Sequence, residues 1–164
     1  MIQKKSIYFV VLLMIITVFG CASTQSPQVS GPLIYIDTPK QDGSVLKIDV
    51  YAKNMEKIAG AQMAFSYNPE MLQYDRSEEG TFLKSDGART FFFDIKQSTQ
   101  AGIIKDIVVV RQGAGLQGDG YLASLYFNIL KSGSSRIDFE EVIIADEKGA
   151  KLPVSTQGVE VKTN

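Results

Sequence analysis

The stretch "SVLKIDVYAK", residues 44–53, decides the fold. Leu46, Ile48, Val50 and Ala52 occupy every second place, with Lys47, Asp49 and Tyr51 between them. A period of two puts the first set on one side of an extended chain and the second on the other. That is a half-buried strand with one wet face. "AGAQMAFSYNP" (59–69) repeats the device, with Ala61, Met63, Phe65 and Tyr67 on one face and Gln62, Ala64 and Ser66 on the other. Pro69 has no N–H to give a ladder, so this strand stops by Asn68.

The run "LIYIDT" precedes these two, and "MLQYDR", "TFFFDIK", "IIKDIVVVR", "YLASLYFNIL", "SRIDFEEVII" and "GVEVK" follow them. Between them lie "SDGA", "STQAG", "QGAGLQGDG", "KSGSS" and "DEKGA", the residues that turns require. No stretch sustains a helical period, although 69–71 and 81–84 are expected to be briefly helical. No internal repeat is visible. Eight or nine short strands, each with one apolar face, have to bury those faces against one another. An all-β, two-sheet sandwich is expected.

Composition narrows the function. At 164 residues there is room for one domain and a leader. Histidine is absent, which removes the commonest general base and metal ligand. Cys21 is the only cysteine, so disulfides, a thiolate nucleophile in the domain and Cys-ligated zinc are all excluded. Catalysis through carboxylates remains open but disfavoured, and a non-enzymatic protein without cofactors is expected. Net charge is −1; removal of residues 1–20, which carry Lys4 and Lys5 and no acid, leaves 15 basic against 18 acidic residues. That balance offers nothing to nucleic acid.

The lone cysteine has a setting. "MIQKK" is a short basic start, and Ile7 to Phe19 are almost wholly apolar. This run is shorter than the ~20 residues of a membrane-spanning helix and fits a secretory signal. "VFGC" (18–21) resembles the lipobox of bacterial lipoproteins. The resemblance implies cleavage before Cys21, a diacylglyceryl group on its sulfur, and usually a further acyl chain such as palmitate on the new amino group. Two or three chains make departure from the bilayer negligible, at about 0.8 kcal/mol per buried methylene. Residues 22–32, "ASTQSPQVSGP", carry no charge and read as a flexible tether with a reach of roughly 15–20 Å. The expected layout is a signal peptide over 1–20, the lipidated cysteine and tether over 21–32, and the β-domain over 33–164. The protein is then held on the cell membrane or the outer membrane, facing the periplasm or the exterior.

The order of motifs in the domain resembles that of cohesins. "GAQMAFSYNPEMLQYD" (60–75) is similar to the family's early strand and turn, with Asn68-Pro69 and Leu72 in place. "EGTFLKSDG" (79–87) is similar to the segment that follows. "GDGYLASLYFNIL" (118–130) resembles the later Gly-Asp-Gly-x-Leu-Ala strand, and residues 137–161 resemble the closing strands. The resemblance implies a nine-stranded jelly-roll related to certain carbohydrate-binding modules, and a protein that binds partners. In cellulosomes such partners are the calcium-loaded helices of dockerins, gripped by one sheet face. The family's polar recognition positions are not kept: Gly60 and Gln62 stand on the early strand, and Arg111-Gln112 near the end of the sixth. Either the partner differs, as in envelope and secretion proteins, or recognition is more apolar.

Candidate binding residues follow. In "TFFFDIK" neighbours alternate sides. If Phe91 and Phe93 pack inward, Phe92 faces out as an aromatic anchor for a partner, or lies under the connection "SEEGTFLKSDG" (77–87). Gln62, Ala64, Phe92 and Arg111 are the expected partner-contacting residues. In "IIKDIVVVR", Ile104, Asp106, Val108 and Val110 are expected on one side, and Ile103, Lys105, Ile107, Val109 and Arg111 on the other. The acidic pairs Glu78-Glu79, Glu140-Glu141 and Asp146-Glu147 are expected to diverge as strand neighbours and to sit in solvated turns. "RQGAGLQGDG" (111–120) lacks the helix that a phosphate loop needs and reads as a mobile crossover. The alternative function is a carbohydrate-binding module for polysaccharide. It has no tryptophan to use and would need exposed tyrosines such as Tyr126.

Overall fold

The computed structural model of the protein describes residues 31–94 and 102–164; Cys21, the leader and nearly all of the tether lie outside them. The strands are β1 (Leu33–Ile36), β2 (Lys40–Asp42), β3 (Val45–Ile58), β4 (Gly60–Ser66), β5 (Leu72–Glu79), β6 (Thr90–Asp94), β7 (Ile103–Arg111), β8 (Leu116–Ile129), β9 (Gly133–Ala145), β10 (Lys151–Leu152), β11 (Ser155–Gln157) and β12 (Val159–Thr163). Twelve segments rather than nine arise because β2, β10 and β11 are stubs of two or three residues on the ends of longer ladders. The only helical element among the described residues is a 3-10 turn at Phe82–Lys84, within the expected 81–84.

Sheet I runs β11-β1-β3-β8-β5 with β2 on the flank of β3, and sheet II runs β10-β9-β4-β7-β6 with β12 on β9. Every pairing is antiparallel except β1 with β11, which runs parallel. The alternation of residues 44–53 is kept. Leu46, Ile48, Val50 and Ala52 are buried, as are Leu125 and Phe127 opposite them on β8. From sheet II, Ala61, Met63, Phe65, Ile107 and Val109 complete the same core. Each such large side chain removed from water contributes about 1.5–3 kcal/mol, which fixes which face of each sheet turns inward.

The glycine-rich stretch 112–120 is not a free crossover. β8 begins at Leu116, and its first residues pair with the bulged end of β3. Gly118 has φ of 102°, and Asp119 Oδ1 accepts the Asn54 amide at 2.7 Å where Asn54 itself has φ of 55°. A side chain on Gly120 would overlap the Phe82 ring. The Gly-Asp-Gly motif therefore holds a bulge and admits an aromatic plug; its work is architectural.

Candidate functional site

The outer face of sheet II can be laid out from register alone. One row across it reads Phe91, Val110, Gly60 and Ala145, and the next reads Phe93, Val108, Gln62 and Ile143. Phe91, Phe93 and Val110 are 44%, 51% and 40% exposed, so this face is apolar and open. Gly60, without a side chain, leaves a shelf beside Val110. Gln62 lies in the middle of this surface and donates through Nε2 to Asp106 Oδ1 at 3.1 Å.

The third row is broken by two facing irregularities. The β4–β7 register shifts between Met63 and Phe65, and the β4–β9 register between Ala64 and Phe65. Asp106 takes φ of 57° to accommodate the extra residue, a conformation that costs a non-glycine residue. Two bulges on either side of Ala64 swing neighbours to the same side. Lys105 and Asp106 from β7, and Glu140 and Glu141 from β9, all line one hollow of about 500 Å³ with Ala64 and Ile103. The expectation that Glu140 and Glu141 diverge is thus corrected, since a bulge suspends strict alternation. The parity expected along β7 is corrected for the same reason: Ile104 is buried together with Ile107 and Val109. Among the described residues no group of three or more potential ligands is disposed to hold a metal ion.

Two of the expected contact residues are elsewhere. Phe92 points inward against the core, while Phe91 and Phe93 point out, the reverse of the expected phase. The reason lies in the inward partners of β6: Thr90 pairs with Arg111, and Asp94 accepts hydrogen bonds from the Tyr74 hydroxyl (2.8 Å) and the Ser77 amide (2.9 Å). Burial and the adjacent Asp94 carboxylate keep the Tyr74 hydroxyl far above its ordinary value and protonated. Arg111 is likewise interior, its side chain 3% exposed, and donates to Asp86 Oδ2 at 2.7 Å under the 80–89 connection. Gln62 and Ala64 do lie on the open face, and Cys21 lies outside the described residues. The missed residues, Phe91 and Phe93, carried no signal in their own strand: Thr90 and Asp94 share the phase of Phe92, and polar neighbours alone would turn that phase outward.

The outer face of sheet I is built differently. Tyr35, Tyr51 and Tyr121 stand side by side on three strands, with ring centroids 5.7 and 5.5 Å apart. Tyr126 has the Arg76 guanidinium 4.0 Å from its centroid and donates its hydroxyl to Glu78 at 2.8 Å. Asp49, 4% exposed, accepts from Ser124 and from Lys40 (2.9 Å), with Lys47 at 3.0 Å; Ser124 in turn bonds the Tyr121 hydroxyl. Burial alone would raise the Asp49 carboxyl, but Ser124, Lys40 and Lys47 together outweigh it and hold it below the usual carboxylate range. Aromatic and charged groups here are already partnered with one another.

Among curated proteins none matches this sequence. Solved structures do match the fold. A non-cellulosomal cohesin from the archaeon Archaeoglobus fulgidus is similar at 20% identity and a TM-score of 0.61, covering 81% of this chain and 91% of its own. The second type II cohesin module of the ScaA scaffoldin of Acetivibrio cellulolyticus gives 16% identity and a TM-score of 0.67, over 83% and 92%. The Coh-OlpA cohesin of Clostridium thermocellum, solved in complex with Doc918, gives 15% and 0.62, over 80% and 98%. Residues 36–161 match the cohesin domain itself. With the two-sheet jelly-roll and the ordered motifs, this match places the chain in the cohesin domain family.

Proposed function

We propose that this chain is a membrane-anchored cohesin module that docks a protein partner, a dockerin module, on the outer face of sheet II. Cohesins are binding modules that take dockerin partners, and one similar structure is of a cohesin solved with a dockerin. The observation that carries the reading is the open apolar face made by Phe91, Phe93 and Val110. Exposed aromatics on a sheet face are what a helical partner uses as anchors. The hollow at the end of that face, lined by Asp106, Glu140 and Glu141 against one lysine, favours a partner with a basic side chain beyond its apolar stripe. Polysaccharide is less well served. Tyr35 stacks on Tyr51, Tyr121 tilts against Tyr51, and Tyr126 is covered by Arg76, so these tyrosines of sheet I are engaged with one another or with a cation.

Anchoring rests on the lipobox-like "VFGC" ahead of an uncharged tether. It puts the docking module at the cell envelope, within roughly 15–20 Å of the bilayer. Surface plasmon resonance of the full chain against calcium-loaded dockerin modules tests the docking face. Binding that disappears in a Phe91→Ser/Phe93→Ser double variant supports it; binding indifferent to that change overturns it. Anchoring is tested separately by Cys21→Ser, which should move the protein from the membrane fraction to the soluble one.

A further inference from the structure

Of the six buried side-chain polar atoms without a hydrogen-bond partner among the described residues, five lie along one side of the sandwich: Ser77 Oγ, Glu79 Oε1, Asp94 Oδ1, Arg111 Nε and Arg111 Nη1. Register explains the clustering. Ser77 and Glu79 share the inward phase of β5 opposite Leu125 and Ala123, Asp94 faces in from β6 opposite Ile107, and Arg111 faces in from β7 opposite Thr90. β5 is the edge strand of sheet I and β6 the edge strand of sheet II, so these atoms line the seam where the two sheets open toward each other. The connection between the strands is pinned across that seam twice, by Lys84 to Glu79 at 2.7 Å and by Asp86 to Arg111 at 2.7 Å.

A dry seam is untenable here. Each orphaned buried polar atom keeps its full desolvation penalty, larger for charged groups, and this set includes a guanidinium and two carboxylates. The atoms are mixed in kind: two N–H donors, two carboxylate oxygens and a hydroxyl. Water both donates and accepts, so it can serve atoms of both kinds, Ser77 and Asp94 on one side of the inward Phe92 and Arg111 on the other. No cation fits as well, because the Arg111 guanidinium faces the same interior.

We infer that the β5–β6 seam is a hydrated internal cleft on which β6, the strand bearing Phe91 and Phe93, rides as the adjustable member of the docking face. β6 pairs with β7 on one side only, and of its inward residues Phe92 alone packs on the hydrophobic core. Thr90 and Asp94 rest over polar groups instead. Asp94 is bonded directly to the Tyr74 hydroxyl and the Ser77 amide and fixes one end of β6. Bonds through water tolerate small displacements that interlocked apolar packing resists, so the rest of β6 can shift about that end to fit a partner while β4 and β7 stay fixed. The second half of this inference rests on the docking reading. The tests use no partner, so the hydration result stands or falls apart from it.

Crystals of the full chain diffracting well enough to show solvent should reveal ordered water within hydrogen-bond distance of Arg111 Nε and Nη1, Glu79 Oε1 and Asp94 Oδ1. Direct pairing among these side chains with no internal water overturns the inference. Amide hydrogen exchange of the same protein should be at least about tenfold faster for the β6 ladder than for β4; equal protection overturns the adjustable strand. Arg111→Met made on an Asp86→Ala background, where the Arg111–Asp86 ion pair is already absent, gives a further check. In a hydrated seam the melting temperature stays level or falls, because the waters lose two donors. In a dry one it rises by several degrees as two orphaned donors are removed, and a rise overturns the inference.

Discussion

The two outer faces of this sandwich are made from the same number of strands and opposite chemistry. On sheet I the central polar and aromatic groups have partners within the face: Asp49 with Ser124, Lys40 and Lys47, Tyr126 with Glu78 and Arg76, and Tyr51 between Tyr35 and Tyr121. On sheet II, Phe91, Phe93 and Val110 stand exposed beside one another, and the next row adds Val108, Ile143 and one polar residue between them, Gln62, which is bonded to Asp106. A face that satisfies itself gains little from a partner, because any contact first breaks bonds already made. A face that leaves aromatic surface in water gains from covering it. On the proposed docking, the difference between the faces is a difference between stability and recognition.

The largest expected effect breaks that contrast at its source. Phe91→Ser with Phe93→Ser should weaken partner binding by on the order of 100-fold or more, since buried aromatic anchors each carry about 2 kcal/mol or more at an interface. The same double variant should unfold within about 0.5 kcal/mol of the parent, because surface substitutions away from structural features cost little. Chemical denaturation measured alongside the binding assay separates the two. A large loss of stability would place these rings in the core and reverse the assignment of faces.

Asp49 tests the other face. Asp49→Ala strips a buried carboxylate from two lysines and a hydroxyl and should cost about 1–3 kcal/mol of unfolding free energy, with binding unchanged. The sign of the pH dependence follows from the lowered carboxyl. Its folded value lies below the unfolded one, so its contribution is complete above about pH 4 and is lost as pH falls through the folded value. Acid denaturation curves of the parent and Asp49→Asn should converge at low pH and separate above it. Parallel curves would mean that the lysines do not reach the carboxylate.

The core of this molecule was legible because burial is imposed by period. "SVLKIDVYAK" has a single phase in which no charge enters the core, and that phase is the one found. Phe91, Phe92 and Phe93 offer no such choice, since either phase buries an aromatic. Their phase is settled by groups far away in sequence: Tyr74 and Ser77 on Asp94, and Arg111 opposite Thr90. The hollow was hidden for a different reason. A bulge adds one residue, and "DFEEV" and "IKDIV" look the same with or without one; only pairing with β4 reveals that Glu140 and Glu141 point together. Pattern gives what one strand dictates to itself, and sites made by register between strands are lost to it.

That hollow supplies a smaller test. Glu140→Gln with Glu141→Gln should leave stability unchanged, both residues being exposed, and weaken binding by roughly 3- to 10-fold. The loss should shrink as salt is raised, because rim charges act through screened attraction and chiefly on the association rate. A loss that persists at high salt would point to a shape contact at Ala64 instead of a charge.

The smallest effect is the most pointed about which face binds. Tyr126→Ala removes a half-buried ring, its hydroxyl bond to Glu78 and the Arg76 guanidinium packed over it. The stacked cation is exposed and worth about 0.5–1 kcal/mol, and the carboxylate bond is solvent-screened, so the stability loss should be about 1 kcal/mol. Binding of a dockerin module should not change, because Tyr126 lies on sheet I and the proposed docking face is that of sheet II. If binding falls while folding holds, the self-partnered face recognises something after all. A row of tyrosines that stack only until a ligand parts them would then become the surface to map.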